Sequence, residues 1–562
     1  MKKKFTHIIY GLSLTLAAVL ASGCEKFLTR DAENQTTEDD WWTSKTMLET
    51  VLKQCYNPVP GGTIVYSAMD KSQEGTPANA YANNSVEMME GITDNGVTCA
   101  NYIDNSPFTY STVSSTKDVV VRTWTMNWAV IRRCCRFLEN WNKAQYDIDK
   151  NPHEGIQTVD RWVSEVRALR AYYHMRNYML YGEIPIVDKV VSPEEQDLER
   201  QPKDKIVSWI ASELEEASKN LPLYPQVQTE RWRWTKGACY SYISYIYMYD
   251  GNWAKAKEWA QKVIDLGIYD IYTHNANPAA SYSEQFLYDA YTNNTKEVIW
   301  TKDKGAGQAT FRLSPTGTIA GGSGIAPTAA LLDAYELKDG RTLDELTPEE
   351  REKYHINPTP ADRDPRMSMT IFFPDEKFLG YTPAGVFSNG IDAIGKRNST
   401  KTGYWIKKWV NSNDYKSSNA NGTLPFAHMR YAVVLLNYVE AAIELGELDD
   451  ETIYTYLDKI RTRAGHVKVD RKKYDTQEEL RELVRRERRI ELAFEGHRIF
   501  DIRRWKIGEE VMNGPVYGAK YPDKDELYFV EERRFNPDRD YVWPIPAAEI
   551  LANGNLDQNP GY

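Results

Sequence analysis

His497 and Asp501 stand four residues apart, the spacing at which a histidine and a carboxylate on one helix face can share a metal ion. Arg498, Arg503 and Arg504 crowd the same stretch, and their positive field opposes a cation. Other chemistry is sparse. There is no Gly-x-Ser-x-Gly elbow, no His-Glu-x-x-His pair and no phosphate loop, and the 8 histidines are dispersed without metal-ligand spacing. The 80 acidic residues nominally meet the two-carboxylate requirement of a glycoside hydrolase, so composition alone does not exclude one. No catalytic residue, metal or other cofactor is assigned.

Cys24 is placed for covalent modification. Lys2, Lys3 and Lys4 form a positive start, Phe5 to Leu20 is mostly apolar, and Ala21, Ser22 and Gly23 are the small residues that precede cleavage. The apolar run is too short to span a bilayer, so a lipidated Cys24 fits better than a transmembrane helix. A bacterial lipobox usually carries a larger aliphatic where Ala21 stands, with Leu20 one place earlier, and an ordinary secretory signal is the alternative. Either route exports the chain. An acyl anchor attaches the protein to a membrane and leaves the rest of the polypeptide free to be a water-facing fold.

Composition narrows the partners. Formal net charge is -11, and removing residues 1–23 with their three lysines gives -14. Nucleic acid is therefore not expected as a partner, because phosphate neutralisation needs a basic footprint. With 41% hydrophobic and 27% charged residues, and a mean hydropathy of -0.60, no later segment resembles a membrane span. Cys55, Cys99, Cys134, Cys135 and Cys239 remain after Cys24, an odd, scattered set unlike a disulfide framework, and Cys134 and Cys135 read as buried small hydrophobes. The 37 Tyr and 16 Trp offer flat apolar faces with hydrogen-bonding edges, which suit a half-polar ligand such as a sugar ring.

Helical periodicity must position whatever binds. Trp124, Trp128, Ile131, Cys135, Leu138 and Trp141 recur at intervals of three and four, and Trp162, Val166, Leu169 and Tyr173 begin a second such run that ends at Gly182. Helical pairs are expected over 234–265, turning at Asp250 and Gly251, and over 429–463, turning near Gly446. Gly182, Gly251 and Gly446 are too unevenly spaced for a regular solenoid. Residues 57–120 and 268–425 are rich in Gly, Pro, Asn, Ser, Thr and Tyr, with short strand-like runs at 297–300 and 404–409. Long loops that keep their aromatics are ordered and carry function. Glu479 to Phe494 reads as a charged helix with one apolar face, partly buried, in a structural role; the Pro-containing end from Tyr541 to Pro546 reads as a strap across the helices.

Arg488 to Arg498, followed by Phe500, Asp501 and Arg503 to Trp505, resembles the most recurrent segment of the SusD/RagB family. Arg167 to Tyr173 with Gly182 and Pro185, Leu331 to Tyr335, Arg363 to Arg366, Arg430 with Tyr431, Arg463 to Gly465, Pro544 to Pro546 and Asn559 to Tyr562 are similar to family motifs in the same order. The resemblance covers the chain from Cys24 to Tyr562. It implies a mostly α fold, a single SusD-like domain over 24–562 after a signal peptide at 1–23. Tetratricopeptide-like helical hairpins would scaffold a loop-rich ligand-binding half with few short strands.

The resemblance also implies a job: an outer-membrane, cell-surface lipoprotein without catalysis that captures oligosaccharide or polysaccharide and delivers it to a SusC-like TonB-dependent transporter. RagB-type members imply peptide as the alternative cargo. Family binding residues do not transfer by motif, so the candidates are loop residues outside the helical periodicity: Tyr66, Tyr81, Tyr102, Tyr282, Tyr288, Tyr291 and Phe311 for stacking, with Asn83, Asn84, Asn101, Asn293 and Asn294 for edge-on hydrogen bonds. Trp300, Trp405, Trp41 and Trp42 read as core.

Overall fold

The computed structural model describes residues 39–59, 86–100, 104–274, 277–303, 309–416 and 422–562. Six long helices begin the scaffold: α1 (Lys45–Tyr56), α2 (Asp118–Asn140), α3 (Thr158–Tyr181), α4 (Lys203–Ser218), α5 (Lys236–Asp250) and α6 (Trp253–Asp265), with two short helical turns, Val86–Gly91 and Ser106–Thr109, between the first two. From α2 onward each packs on the next. The α5–α6 turn is local chemistry. Gly251 takes a φ of 79° that a side chain would strain, and the Asn252 side chain then caps α6 by accepting from the Lys255 amide. Small residues let the two helices close: the Ser244 hydroxyl donates to the Ala256 carbonyl at 2.9 Å, and Ala256 and Ala260 are fully buried. Among the described residues no helix is long and apolar enough to cross a membrane.

An insertion then interrupts the row in sequence but not in space. It contributes α7 (Tyr288–Thr292), α8 (Ala309–Leu313), α9 (Ala329–Ala334), α10 (Pro348–Ile356) and α11 (Ser412–Lys416). With β1 (Gly96–Thr98) come β2 (Val298–Lys302), β3 (Ile325–Pro327), β4 (Ile371–Phe372), β5 (Trp405–Ile406) and β6 (Phe426–Arg430). They pair antiparallel as β1–β3, β2–β6 and β4–β5. The β2–β6 pair returns the chain to the scaffold, so that α12 (Tyr431–Glu444) packs on α6 and the row continues. Uneven glycine spacing therefore concealed a row that is continuous in space. Trp300 of β2 is wedged into the helices beside Trp234 and Tyr172, at ring separations of 4.8 and 5.1 Å.

Helices α13 (Glu451–Arg463), α14 (Gln477–Glu491) and α15 (Arg498–Trp505) and the hairpin of β7 (Gly514–Lys520) and β8 (Leu527–Arg533) complete the chain. The closing segment is the expected strap. The Trp543 amide donates to Leu180 O at 2.7 Å, and Asn559 Nδ2 donates to Tyr181 O and Trp543 O, both at 2.7 Å. Cys55, Cys99, Cys134, Cys135 and Cys239 are buried free thiols.

A buried ion network joins scaffold to insertion. Arg430, at the start of α12, donates to Glu297 and Glu491, both from Nη1, at 2.7 and 2.8 Å, and to Glu495 at 2.7 Å. Arg463 at the end of α13 pairs with Glu297 at 2.8 Å and with Glu491. Arg366 of the insertion holds Asp364 at 2.7 Å, Glu491 at 3.1 Å and Glu487. Arg461 and Arg486 meet on Glu336, and Lys408 reaches Glu495 at 3.0 Å. Surrounding cations hold the Glu336 and Glu491 carboxyls far below the usual range despite desolvation. Six carboxylates (Glu297, Glu336, Asp364, Glu487, Glu491, Glu495) face six cations (Arg366, Lys408, Arg430, Arg461, Arg463, Arg486), so the buried charges cancel. A second set uses the recurrent arginines: Arg498 and Arg489 hold Asp94 at 2.8 Å, Arg504 holds Glu440 and Asp501, and Arg503 donates to Met179 O at 2.7 Å.

Glu491→Gln leaves three arginines with one carboxylate fewer and is expected to destabilise the protein by about 3–5 kcal/mol in denaturant titration; an unchanged midpoint would refute the network's role. A second expectation concerns pH. Desolvation opposes their ionisation, but Arg489 and Arg498 hold the Asp94 carboxyl, and Arg488 and Arg504 the Asp501 carboxyl, down at about 2. Each thus contributes stability, about 2 kcal/mol, that is present above pH 3.8 and is lost as pH falls through 2. Burial pushes Glu90 up to about 7, so its contribution is complete below 4.5 and is lost as pH rises through 7. Stability measured across pH should therefore fall on both sides, and Glu90→Gln should remove the slope between 4.5 and 7.

Candidate ligand-binding site

Three half-buried tyrosines from separate segments of the insertion, Tyr288, Tyr381 and Tyr415, lie beside two carboxylates, Asp392 and Asp414, and half-buried Phe311 stands on the neighbouring α8. The Tyr288 hydroxyl, on α7, donates to Asp414 Oδ2 at 3.2 Å and accepts from the Thr423 amide at 2.7 Å. That contact ties α7 to α11. The Asn411 amide donates to Thr310 Oγ1 at 2.8 Å, which ties α11 to α8 and sets Phe311 nearby. Tyr415 follows Asp414 on α11, and its phenol faces Thr318 and Asp392.

Asp392 organises the other side. Fully buried, it accepts from Tyr381 Oη at 2.6 Å, the Ala384 amide at 2.9 Å and the Gly317 amide at 2.8 Å. A Cβ on Gly317 would lie 1.7 Å from Tyr381 Oη, so glycine is what allows this loop to close on the ring. Burial pushes the Asp414 carboxyl up, opposed by the Tyr288 hydrogen bond, and burial raises the Tyr288, Tyr381 and Tyr415 phenols. The surface thus offers neutral phenols, aromatic faces and the Asp414 carboxylate, an arrangement suited to binding a polyhydroxylated ligand.

The expected site residues divide. Tyr66, Tyr81, Asn83, Asn84, Asn101 and Tyr102, with Cys24, lie outside the described residues. Tyr288, on α7, and Phe311, on α8, are both half-buried. Tyr291 packs below, against the insertion's core, and Asn293 is exposed at the end of α7, while Asn294 accepts from Arg231 at 2.6 Å. Tyr282 is a correction. It is fully buried, its hydroxyl reaching Thr370 Oγ1 at 3.3 Å and its ring lying 5.2 Å from Lys408 and 5.3 Å from Arg463. The cations of the network need that ring as a neighbour, so no ligand reaches it.

Tyr381, Asp392, Asp414 and Tyr415 were not among the residues expected from sequence. A tyrosine beside an aspartate within the polar run 411–422 was the available signal. Trp300 and Trp405 are core, donating to Trp232 O at 2.8 Å and Ser323 Oγ at 2.9 Å. His497 is buried beside Tyr245 Oη at 3.2 Å, and desolvation lowers it to about 4. Among the described residues, no group of three His, Cys, Asp or Glu is arranged to hold a metal.

The sequence profile of the SusD family matches residues 274–562, and a profile described as starch-binding associating with outer membrane matches residues 26–248. SusD-like protein P2 of Formosa agariphila is 26% identical over 468 residues, 80% of this chain and 82% of its own. A SusD-like carbohydrate binding protein from Bacteroides fragilis, 24% identical, superposes with a TM-score of 0.77 over 92% of this chain and 100% of its own. A laminarin binding SusD-like protein, 19% identical, superposes at 0.64 over 93% of this chain and 100% of its own. At these identities the structural likeness is one of fold.

Gly317→Ala forces the Tyr381 ring off Asp392 while the rest of the loop keeps its bonds. The variant is expected to unfold near the wild-type midpoint yet bind the protein's ligand about tenfold more weakly, the loss of one hydrogen-bonded contact. Unchanged affinity in calorimetry would remove Tyr381 from the site.

Proposed function

This chain belongs to the SusD family, and from that premise we propose that it is a non-catalytic surface lipoprotein that captures oligosaccharide outside the cell. The observation that carries the reading is the grouping of Tyr288, Tyr381 and Tyr415 around Asp392 and Asp414, with Phe311 on the adjoining α8. Aromatic faces take the apolar side of a pyranose ring, and the Asp414 carboxylate accepts from its hydroxyls while buried Asp392 holds Tyr381 in place. Each contact is small, so affinity is modest, as a protein that must release its cargo requires.

The rest of the proposal follows the family. Residues 1–23 are removed, Cys24 is acylated, and 24–562 acts as one domain anchored at the outer membrane with its binding face outward. Cargo passes to a SusC-like TonB-dependent transporter. The outer-membrane association in the profile matching residues 26–248, and the laminarin-binding relative, support this reading.

The test is affinity electrophoresis and calorimetry of the soluble form beginning at Glu25, against starch, laminarin, other plant, host and microbial polysaccharides, and a peptide mixture. Saturable binding to one glycan class, with no new reducing ends, is expected. Cleavage products would overturn the non-catalytic reading, and binding to peptide alone would replace the glycan with peptide.

A further inference from the structure

Two cavities away from the loop surface meet at one ion pair. The larger, about 470 Å³, lies among α9, α10 and α14, and the smaller, about 230 Å³, runs along the start of β7. Ala330, Asp333 and His355 line both, so they are lobes of one groove. The larger lobe alone has the volume of a small-molecule site.

Where the lobes join, His355 Nδ1 lies 2.6 Å from Asp333 Oδ2, and the pair is about one-third exposed, with side-chain values of 33% and 30%. Among the described residues, His355 Nε2 has no hydrogen-bond partner, so one ring nitrogen is open to a ligand. The arginines around the groove are committed elsewhere: Arg351 to Asp344 at 3.0 Å, Arg486 to Glu336 at 2.8 Å, Arg489 to Asp94 at 2.8 Å, and Arg533 to Glu531 at 2.8 Å. A sulfated or carboxylated ligand would have to break such pairs, two of which hold a buried carboxylate, whereas a neutral polyol leaves them intact.

The rim of the smaller lobe is aromatic. Tyr517 is 36% exposed and lies edge-on to Phe529, itself 51% exposed, with ring centroids 6.2 Å apart. Such an exposed pair, whose rings meet only edge to face, leaves a ring face free as a stacking shelf beside the cavity.

We propose that this groove is a second saccharide-binding site, taking an uncharged oligosaccharide with one ring on Tyr517 and its hydroxyls on His355 and Asp333. It rests on the glycan reading of the chain. Strand β7 connects it to the first site, since the Ala519 amide donates to Thr402 O at 2.6 Å and Phe387 of the same loop packs on Tyr521 at 5.6 Å. Two sites on one rigid body raise the effective concentration of a polymer already held at either one.

Hydrogen exchange with saturating laminarihexaose and maltohexaose tests this. One of the two is expected to protect 329–334, 349–356 and 511–517 as well as 288–292 and 411–416. Ala330 is exposed on α9 and borders both lobes, so Ala330→Trp fills the groove without touching the first site. It should abolish protection of the groove segments alone and lower the calorimetric stoichiometry from two to one. Tyr517→Ala should weaken the groove about tenfold, the loss of a stacking contact and its desolvated hydroxyl contacts. Protection confined to the loop surface, or insensitivity to both variants, overturns the second site and leaves the glycan reading standing. Protection in neither region, with no heat of binding, contradicts both.

Discussion

The constraint on which the rest depends is that Glu491 and its neighbours hold full charges in the interior. Arg366, Arg430 and Arg463 reach Glu491 from the insertion, from the start of α12 and from the end of α13. Each position is thereby fixed relative to the others, because any displacement leaves an uncompensated buried charge. The binding face inherits that rigidity. Glu297 sits between α7 and β2, and Lys408 sits between β5 and α11, so both helices that present Tyr288, Asp414 and Tyr415 are anchored within a few residues of the network. A site assembled from loops needs such support if its groups are to keep their geometry.

The same ion pairs explain the electrostatics of recognition. The chain is rich in arginine, yet Arg488, Arg498, Arg503 and Arg504 of the recurrent segment are spent on Asn437, Asp94, Met179 O and Glu440. They are not a cationic surface. With a formal net charge of -11, the exterior is left acidic, which suits a neutral ligand held by stacking and hydrogen bonds.

Much of the scaffold was legible because its helices repeat aromatics at intervals of three and four, and Gly182, Gly251 and Gly446 marked ends that the structure keeps. Helix α4 was not read. Its buried face is Ile206, Val207, Ile210, Leu214 and Ala217, aliphatic residues without the repeated aromatics that mark the other scaffold helices. The charged helix α14 was expected to be partly buried, but its partners were invisible: Arg366 meets Glu487 and Glu491 across 121 and 125 residues, and only folding brings them together. Tyr282 shows the same limit from the other side. In sequence it is a tyrosine in polar surroundings; in space, Lys408 and Arg463 enclose it. The proposed ligand face falls in the loop region read from sequence and includes Tyr288, but the tyrosine–aspartate pairs that build it come from segments 11 to 126 residues apart.

The central claim is that a sugar ring rests on the aromatic surface formed by the insertion. A crystal structure of the soluble chain with a bound oligosaccharide tests it most directly. The account predicts an uncleaved pyranose stacked on at least one of Tyr288, Phe311, Tyr381 and Tyr415, with hydroxyls directed at Asp414 or its neighbours. Sugar bound only at sites that touch none of these residues, or a peptide in their place, would contradict it.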